Sequence, residues 1–174
     1  MRIILRPIKL NDGTLIVKWR NNPSVLSHCM NKNPISIESN KKFYNEYVET
    51  GKYKQFIVEK IYEDFGVLAY PIATVYLKDM DYSNQKCELC VFTSSDEEWN
   101  DESQSLAVKM LIELAFEEYN IHKIYSYVYK KFDNEIELLK RAGFKEETVL
   151  VKEAKNIEGK FEDIVRMCIF KDKI

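Results

Sequence analysis

A glutamate in the middle of an apolar strand is the residue of this chain best suited to move a proton. Glu88 lies in Cys87-Glu-Leu-Cys-Val-Phe-Thr, whose period-2 alternation reads as a strand. Apolar neighbours desolvate a carboxylate and raise its pKa toward values useful to a general base. The competing reading is a structural carboxylate satisfied by a nearby N–H or tyrosine. Cys90 shares the strand face of Glu88, and Cys87 lies on the other face. That places the two thiols of the Cys-x-x-Cys run apart, so neither a disulfide nor a chelate is expected of them. A thiol among apolar residues is ordinarily inert, which argues against Cys90 as a nucleophile. With two histidines in 174 residues, no metal site is expected.

The segment after this strand is the second place where chemistry could occur. An acidic loop, Ser94 to Ser105, leads into a helix, Leu106 to Tyr119, whose apolar residues Ala107, Met110, Leu111, Leu114 and Ala115 recur at helical spacing. The start of such a helix presents unbonded N–H groups and the positive end of the dipole, which suit an anion. Ser103, Gln104 and Ser105 stand there, and Asp101 with Gln104, or Ser103 itself, is expected to cap the first turn. Asp96, Glu97, Glu98, Asp101 and Glu102 put negative charge in the same place. They read either as solvated first-turn residues or as a sign that no anion binds.

These two pieces need a frame. Arg2 to Ile8 reads as an edge strand, Thr14 to Asn21 as a helix, residues 24–37 as an irregular crossing, and Ser36 or Glu38 to Glu49 as a second helix. Gln55 to Lys60 and Pro71 to Lys78 read as strands around a long turn, Glu63 to Tyr70. After the central strand and helix come a buried strand from Ile124, a short helix from Asn134 to Arg141 stopped by Gly143, and two closing strands, Lys145 to Lys152 and Glu162 to Lys171. This order gives one mixed α/β domain over residues 1–174, with a sheet of about six or seven strands and about four helices covering both faces. Residues 87–129 form a right-handed strand–helix–strand crossover.

Composition excludes several classes. The net charge of −2 carries no basic patch for nucleic acid or an anionic membrane. The opening residues have too short an apolar run for a signal peptide, and no run reaches the ~18 residues of a membrane helix, so a cytoplasmic protein is expected. Four scattered cysteines make no disulfide framework.

Short motifs over nearly the whole length resemble those of the GNAT-type N-acetyltransferases, in the branch of the ribosomal-protein and nucleotide-aminosugar enzymes. They are Leu5-Arg-Pro, Trp19-Arg-Asn-Asn-Pro, Pro71-Ile-Ala-Thr-Val, Glu88-Leu, Trp99, Ala115-Phe-Glu-Glu-Tyr, Ile121-His-Lys-Ile and Ala142-Gly-Phe. The resemblance implies a mostly antiparallel, V-shaped sheet, with acetyl-coenzyme A as cosubstrate entering where two strands splay. It implies that the backbone of Cys90, Val91 and Phe92 meets the pantetheine arm and that Ser103, Gln104 and Ser105 meet the diphosphate. It further implies that Glu88 acts as base, and that Trp19, Arg20, Asn21, His28 and Met30 line the acceptor side. Arg20 has two readings: it pairs a substrate carboxylate or phosphate, or it ties its helix to a local acid.

The chain also departs from the family pattern. The two glycines of the phosphate loop fall at Glu102 and Gln104, and no glycine lies between Gly66 and Gly143. Leu139 stands where relatives carry a tyrosine acid, and Phe132 where they carry an asparagine that Asn134 could replace by a small shift. Cys90 stands where many have glycine. Tyr129 or Tyr127 would then supply the leaving-group proton. The function expected is acetyl transfer to an aminosugar nucleotide, a protein N-terminus or a small amine by direct attack. The alternative is a binding or scaffold protein that kept the fold and lost catalysis. Formation of a homodimer is left open.

Overall fold

The sheet is built on long runs of β-branched and aromatic residues, which suit a pleated surface covered on both sides. In the computed structural model, which describes residues 2–63, 68–92 and 94–171 and only the main chain of Phe92, these runs make one seven-stranded sheet. The strands are β1 (Ile3–Pro7), β2 (Lys54–Tyr62), β3 (Leu68–Asp81), β4 (Lys86–Phe92), β5 (Lys123–Tyr129), β6 (Lys145–Lys155) and β7 (Phe161–Phe170). Their spatial order is β1-β2-β3-β4-β5-β7-β6. Only β4 and β5 run parallel; every other pair is antiparallel.

The helices are α1 (Gly13–Arg20), α2 (Pro23–His28), α3 (Ile37–Phe43), α4 (Asp101–Glu113) and α5 (Asp133–Arg141). Both α3 and α4 run on through a π-helical turn, at Tyr44–Val48 and Leu114–Glu118. α4 buries Ala107, Val108, Leu111 and Ile112 against the main core on one sheet face. A smaller cluster of Ile8, Ile16, Trp19 and Ile57 seats α1 on the other. The mixed α/β architecture expected from the residue pattern and the resemblance is the one found.

Three local expectations are corrected. The crossing over residues 24–37 contains a helix: Asn22 accepts a hydrogen bond from the Ser24 N–H and Pro23 fills the first helical position, the pairing that starts α2. β3 begins at Leu68 rather than at Pro71. The β2–β3 register shifts at Val58/Glu59, leaving Ile72 as the extra residue, so Pro71 sits beside a bulge, where its missing N–H is tolerated. Of the expected turn Glu63 to Tyr70, residues 64–67 lie outside the described residues, as does Thr93 at the end of the expected central strand. Thirdly, α4 is capped by Asn100, whose side chain accepts from the N–H groups of Glu102 and Ser103. Asp101 is simply its first residue.

Candidate active site

The parallel pairing of β4 with β5 lasts for three residues. Lys86, Cys87 and Glu88 face Lys123, Ile124 and Tyr125, and then the strands separate. β4 continues to Phe92 against β3, while β5 continues to Tyr129 against β7. Alternate residues of Leu89–Phe92 therefore direct N–H and C=O groups into a gap with no strand in it. A cavity of about 480 Å³ opens at this gap, walled by β2, β3, β4 and β5 within and by residues of α1 to α5 without.

Glu88 stands on the cavity wall at the point where the strands part. It is only 7% exposed. Its Oε2 lies 3.2 Å from Lys78 Nζ, and its Oε1 accepts from the Cys90 thiol at 3.2 Å. Burial raises the Glu88 pKa; Lys78 and Cys90 pull the other way without cancelling it. For Lys78, burial opposes the charge, but the Glu88 carboxylate beside it leaves the ammonium more firmly protonated than usual. Burial, then the charge of Glu88, pushes the Cys90 thiol well above its ordinary value, so it stays protonated and is a poor nucleophile.

Eight of the residues anticipated from the chain line this cavity: Glu88, Cys90, Val91, Gln104, Arg20, His28, Met30 and Tyr127. His28 is held against α5, stacked on Phe132 at 3.9 Å between ring centroids and bonded through Nδ1 to Glu135. Arg20, 8% exposed, donates through Nη2 to the Asn31 carbonyl, while its Nη1 has no partner. The reading of Arg20 as a tie to a local acid finds no carboxylate at ion-pair distance among the described residues.

Other anticipated residues stand elsewhere. Trp19 is core, packed with Ile8, Ile16 and Ile57. Asn21 bonds the main chain of Ile35 in both directions, at 2.7 and 2.8 Å, and so anchors the segment after α2. Tyr129 is buried with its hydroxyl donating to the Lys155 carbonyl at 2.7 Å, which removes it from the cavity. Tyr127, two residues earlier, does line the cavity. Asn134 is exposed on α5, and Ser105 is half-buried; neither is on the cavity wall.

Ser103 is fully buried and donates to the carbonyls of Glu98 and Asn100 at 2.7 and 2.9 Å. The start of α4 is thus closed by the Asn100 amide rather than by carboxylates. Two of the acidic residues have partners elsewhere: Glu98 pairs with Lys60 at 2.6 Å and accepts from Tyr62, and Asp101 lies 3.9 Å from Arg141.

The chain itself points less clearly to Lys78, Tyr76, Ser126 and Glu135, which also line the cavity. Lys78 reaches it because it pairs directly with Glu88 across β3 and β4. The alternation of Pro71 to Lys78 carries that signal only once the register is known.

The splayed parallel pair, the crossover helix α4 and the apolar cavity with one buried carboxylate define an acetyl-coenzyme A-dependent N-acetyltransferase. The chain belongs to the acetyltransferase (GNAT) domain family, which it matches over residues 2–145. It is 24% identical over 172 residues to the spermidine N(1)-acetyltransferase of Vibrio cholerae, covering 99% of this chain and 95% of that one. The enzyme of the same name from Escherichia coli is 24% identical over 166 residues, 95% and 84% of the two chains. Among solved structures, spermidine N-acetyltransferase from Vibrio cholerae in complex with CoA and spermine superposes with a TM-score of 0.88 over 98% of this chain and 96% of that one, at 23% identity. The similarity is thus to spermidine acetyltransferases rather than to the ribosomal-protein or aminosugar branch in particular.

Proposed function

We propose that this chain, acting as one domain, moves an acetyl group from acetyl-coenzyme A to a primary amine lying in the cavity beneath α1, α2 and α3. The observation that carries this reading is the end of β4–β5 pairing at Glu88 and Tyr125, with the cavity at that break. An arm carrying amide groups can add to the unpaired edge of β4 at Cys90, Val91 and Phe92 much as a strand would. Such contact uses main chain alone, so Cys90 in place of a smaller residue does not abolish it. The diphosphate has no glycine loop to receive it, and Asn100 occupies two of the helix amides. Gln104, which reaches the cavity although its side-chain amide donates to the Trp99 carbonyl at 3.1 Å, and Ser105 are the groups we propose to meet it.

Glu88 would accept the proton of the attacking ammonium. Both its oxygens have partners, so transfer through a water is the simpler path. The amine nitrogen then forms its bond to the acetyl carbon, the carbon–sulfur bond breaks, the thiolate takes a proton from the Tyr127 hydroxyl, and the second proton shed by the nitrogen passes through water to restore that hydroxyl. The names of the relatives bring a polyamine as one acceptor to test; an aminosugar nucleotide, a protein N-terminus and other small amines are the rest.

Calorimetric titration with acetyl-coenzyme A, followed by turnover of Glu88→Gln on an acceptor panel, tests this reading. Micromolar binding, with turnover of the variant down about 100- to 10,000-fold and binding retained, is the expected result. Absence of binding at millimolar cosubstrate would instead support a protein that kept the fold and lost catalysis.

A further inference from the structure

An imidazole reaches the cavity from α2 with one nitrogen held and the other left over. His28 ends α2, its ring stacks on Phe132 at 3.9 Å between centroids, and its Nδ1 is bonded to Glu135 in the first turn of α5. A carboxylate only accepts, so in the neutral ring Nδ1 carries the hydrogen and Nε2 keeps its lone pair. Nε2 has no hydrogen-bond partner among the described residues, and the side chain, which lines the cavity, is 31% exposed. A ring fixed at one nitrogen by a carboxylate and free at the other is the arrangement in which a histidine takes up and gives back a proton. We infer that His28 is a further catalytic residue of the acetyl transfer: its Nε2 takes the second proton of the attacking nitrogen and returns it through water to the Tyr127 hydroxyl. This rests on the acetyltransferase reading above and assigns the one proton step that reading leaves to water alone.

The proton count calls for such a group. An ammonium becomes an amide N–H by losing two protons. Glu88 takes one before attack and cannot hold a second while it keeps Lys78 as its partner. Lys78 itself stays protonated beside Glu88, and burial keeps the thiols of Cys29 and Cys90 and the phenols of Tyr53 and Tyr76 protonated too. Leu138 and Leu139, which follow Glu135 on the cavity side of α5, offer no group that could take it. His28 is the only imidazole on the wall among the described residues, and imidazole is the side chain that ordinarily exchanges a proton near neutral pH. The step balances. The nitrogen–carbon bond forms, the second proton of the nitrogen goes to Nε2, and Glu135 faces the imidazolium so made. That imidazolium gives the same proton, through water, to the phenolate left when Tyr127 protonated the thiolate. Glu88 releases the first proton to solvent with the products.

The contact with Glu135 also ties α2 to α5, and the variants separate a tie from a proton carrier. The whole chain is given acetyl-coenzyme A with spermidine, glucosamine and a peptide bearing a free N-terminus. Single-turnover rates on the acceptor that the wild type acetylates fastest are then measured for His28→Ala, His28→Phe and Glu135→Gln. His28→Ala should be slower by about 10- to 1000-fold, with KM for acetyl-coenzyme A within about threefold of wild type. Added imidazole should raise the rate of that variant several-fold. Pyrazole, a ring of the same size and a far weaker base, should not. His28→Phe keeps the stack on Phe132 and leaves no hole, so it should be as slow as His28→Ala and gain nothing from imidazole. Glu135→Gln, which lets the ring turn, should be slower by about tenfold, yet should cost nothing more when added to His28→Ala. That lack of additivity would mark Glu135 as a positioning residue acting through the imidazole. Rates for both His28 variants within about twofold of wild type, or rescue by imidazole no better than by pyrazole, overturn the inference while leaving acetyl transfer intact. Should His28→Ala fail to fold, His28→Phe decides in its place: a slow variant with an unchanged Tm upholds the inference, and a rate near wild type overturns it. If the wild type acetylates none of the three amines, the reading as an enzyme fails and this inference falls with it.

Discussion

Lys78 and Glu88 are directly paired across β3 and β4, and their side chains meet at 3.2 Å on the cavity wall. The pair sets the protonation of the one carboxylate placed at the strand splay. Burial holds the Glu88 pKa above its ordinary value of 4.5, and Lys78 limits the rise. As the proposed base, Glu88 must be ionised to accept a proton, so the acidic limb of kcat/KM should be shifted upward from that of an ordinary glutamate. Lys78→Met removes the cation and should move that limb to still higher pH. The stability sign follows from the same shift. A carboxyl whose folded pKa is raised binds more protons when folded than when unfolded in the interval between the two values. Its contribution to stability is therefore fully present below the unfolded value and is lost as pH rises through the folded one. The Lys78→Met protein should lose more stability than the wild type on going from pH 5 to pH 8. A pH–rate profile and thermal melts at both pH values check this, and a limb unmoved by Lys78→Met would show that another group controls it.

Two tyrosines on β5 that look interchangeable in the chain have separate fates. The Tyr129 hydroxyl is spent on the Lys155 carbonyl, whereas Tyr127 lines the cavity. Tyr129→Phe should lose about 1 kcal/mol of stability with turnover little changed. Tyr127→Phe should keep its stability and lose turnover, most clearly in the step that expels the thiolate. Single-turnover kinetics with chemical denaturation separates the two effects; a fall in turnover in neither variant would leave the leaving-group proton to water.

At the head of α4 the Asn100 side chain holds the amides that a diphosphate would otherwise use. Asn100→Ala should therefore do two opposite things. The lost cap should cost about 1 kcal/mol of stability. If those amides can meet the diphosphate, acetyl-coenzyme A should also bind several-fold more tightly, because no side chain has to be displaced. Calorimetry beside a thermal melt reads both. Lower stability with unchanged affinity would place the diphosphate away from Glu102 and Ser103, nearer Gln104.

Where a residue's placement depends on its own neighbours in the chain, that placement could be read from the chain. Glu88 among apolar residues, the periodic face of α4 and the order of strands and helices are of this kind. The tasks that were missed depend on partners far along the chain. Lys78 meets Glu88 only through the register of β3 and β4, and Asn21 anchors Ile35 through a loop path that no periodicity encodes. Tyr129 is drawn away by Lys155, 26 residues later. The helix α2 was signalled locally, by Asn22 before Pro23, but six residues are too few to show an amphipathic period.

Gly143 illustrates how a motif that resembles a family mark can be dictated by the fold. In Ala142-Gly-Phe it ends α5 with φ at +99°, in a region that only glycine enters freely. A Cβ built there would come within 3.1 Å of Ile169 Cδ1 on β7, tighter than side chains normally approach. The turn lets Phe144, buried, return to the core just before β6 begins. Gly143→Ala combines left-handed strain of roughly 1–2 kcal/mol with that contact, so it should lower stability by about 2 kcal/mol. For a chain of this length that is a fall of roughly 4–8 °C in Tm. A double change with Ile169→Val removes the methyl carbon that the new Cβ meets, and it should recover the contact part of the loss but none of the strain. Full recovery would mean the backbone there is not strained, and no recovery would mean the side-chain contact contributes nothing.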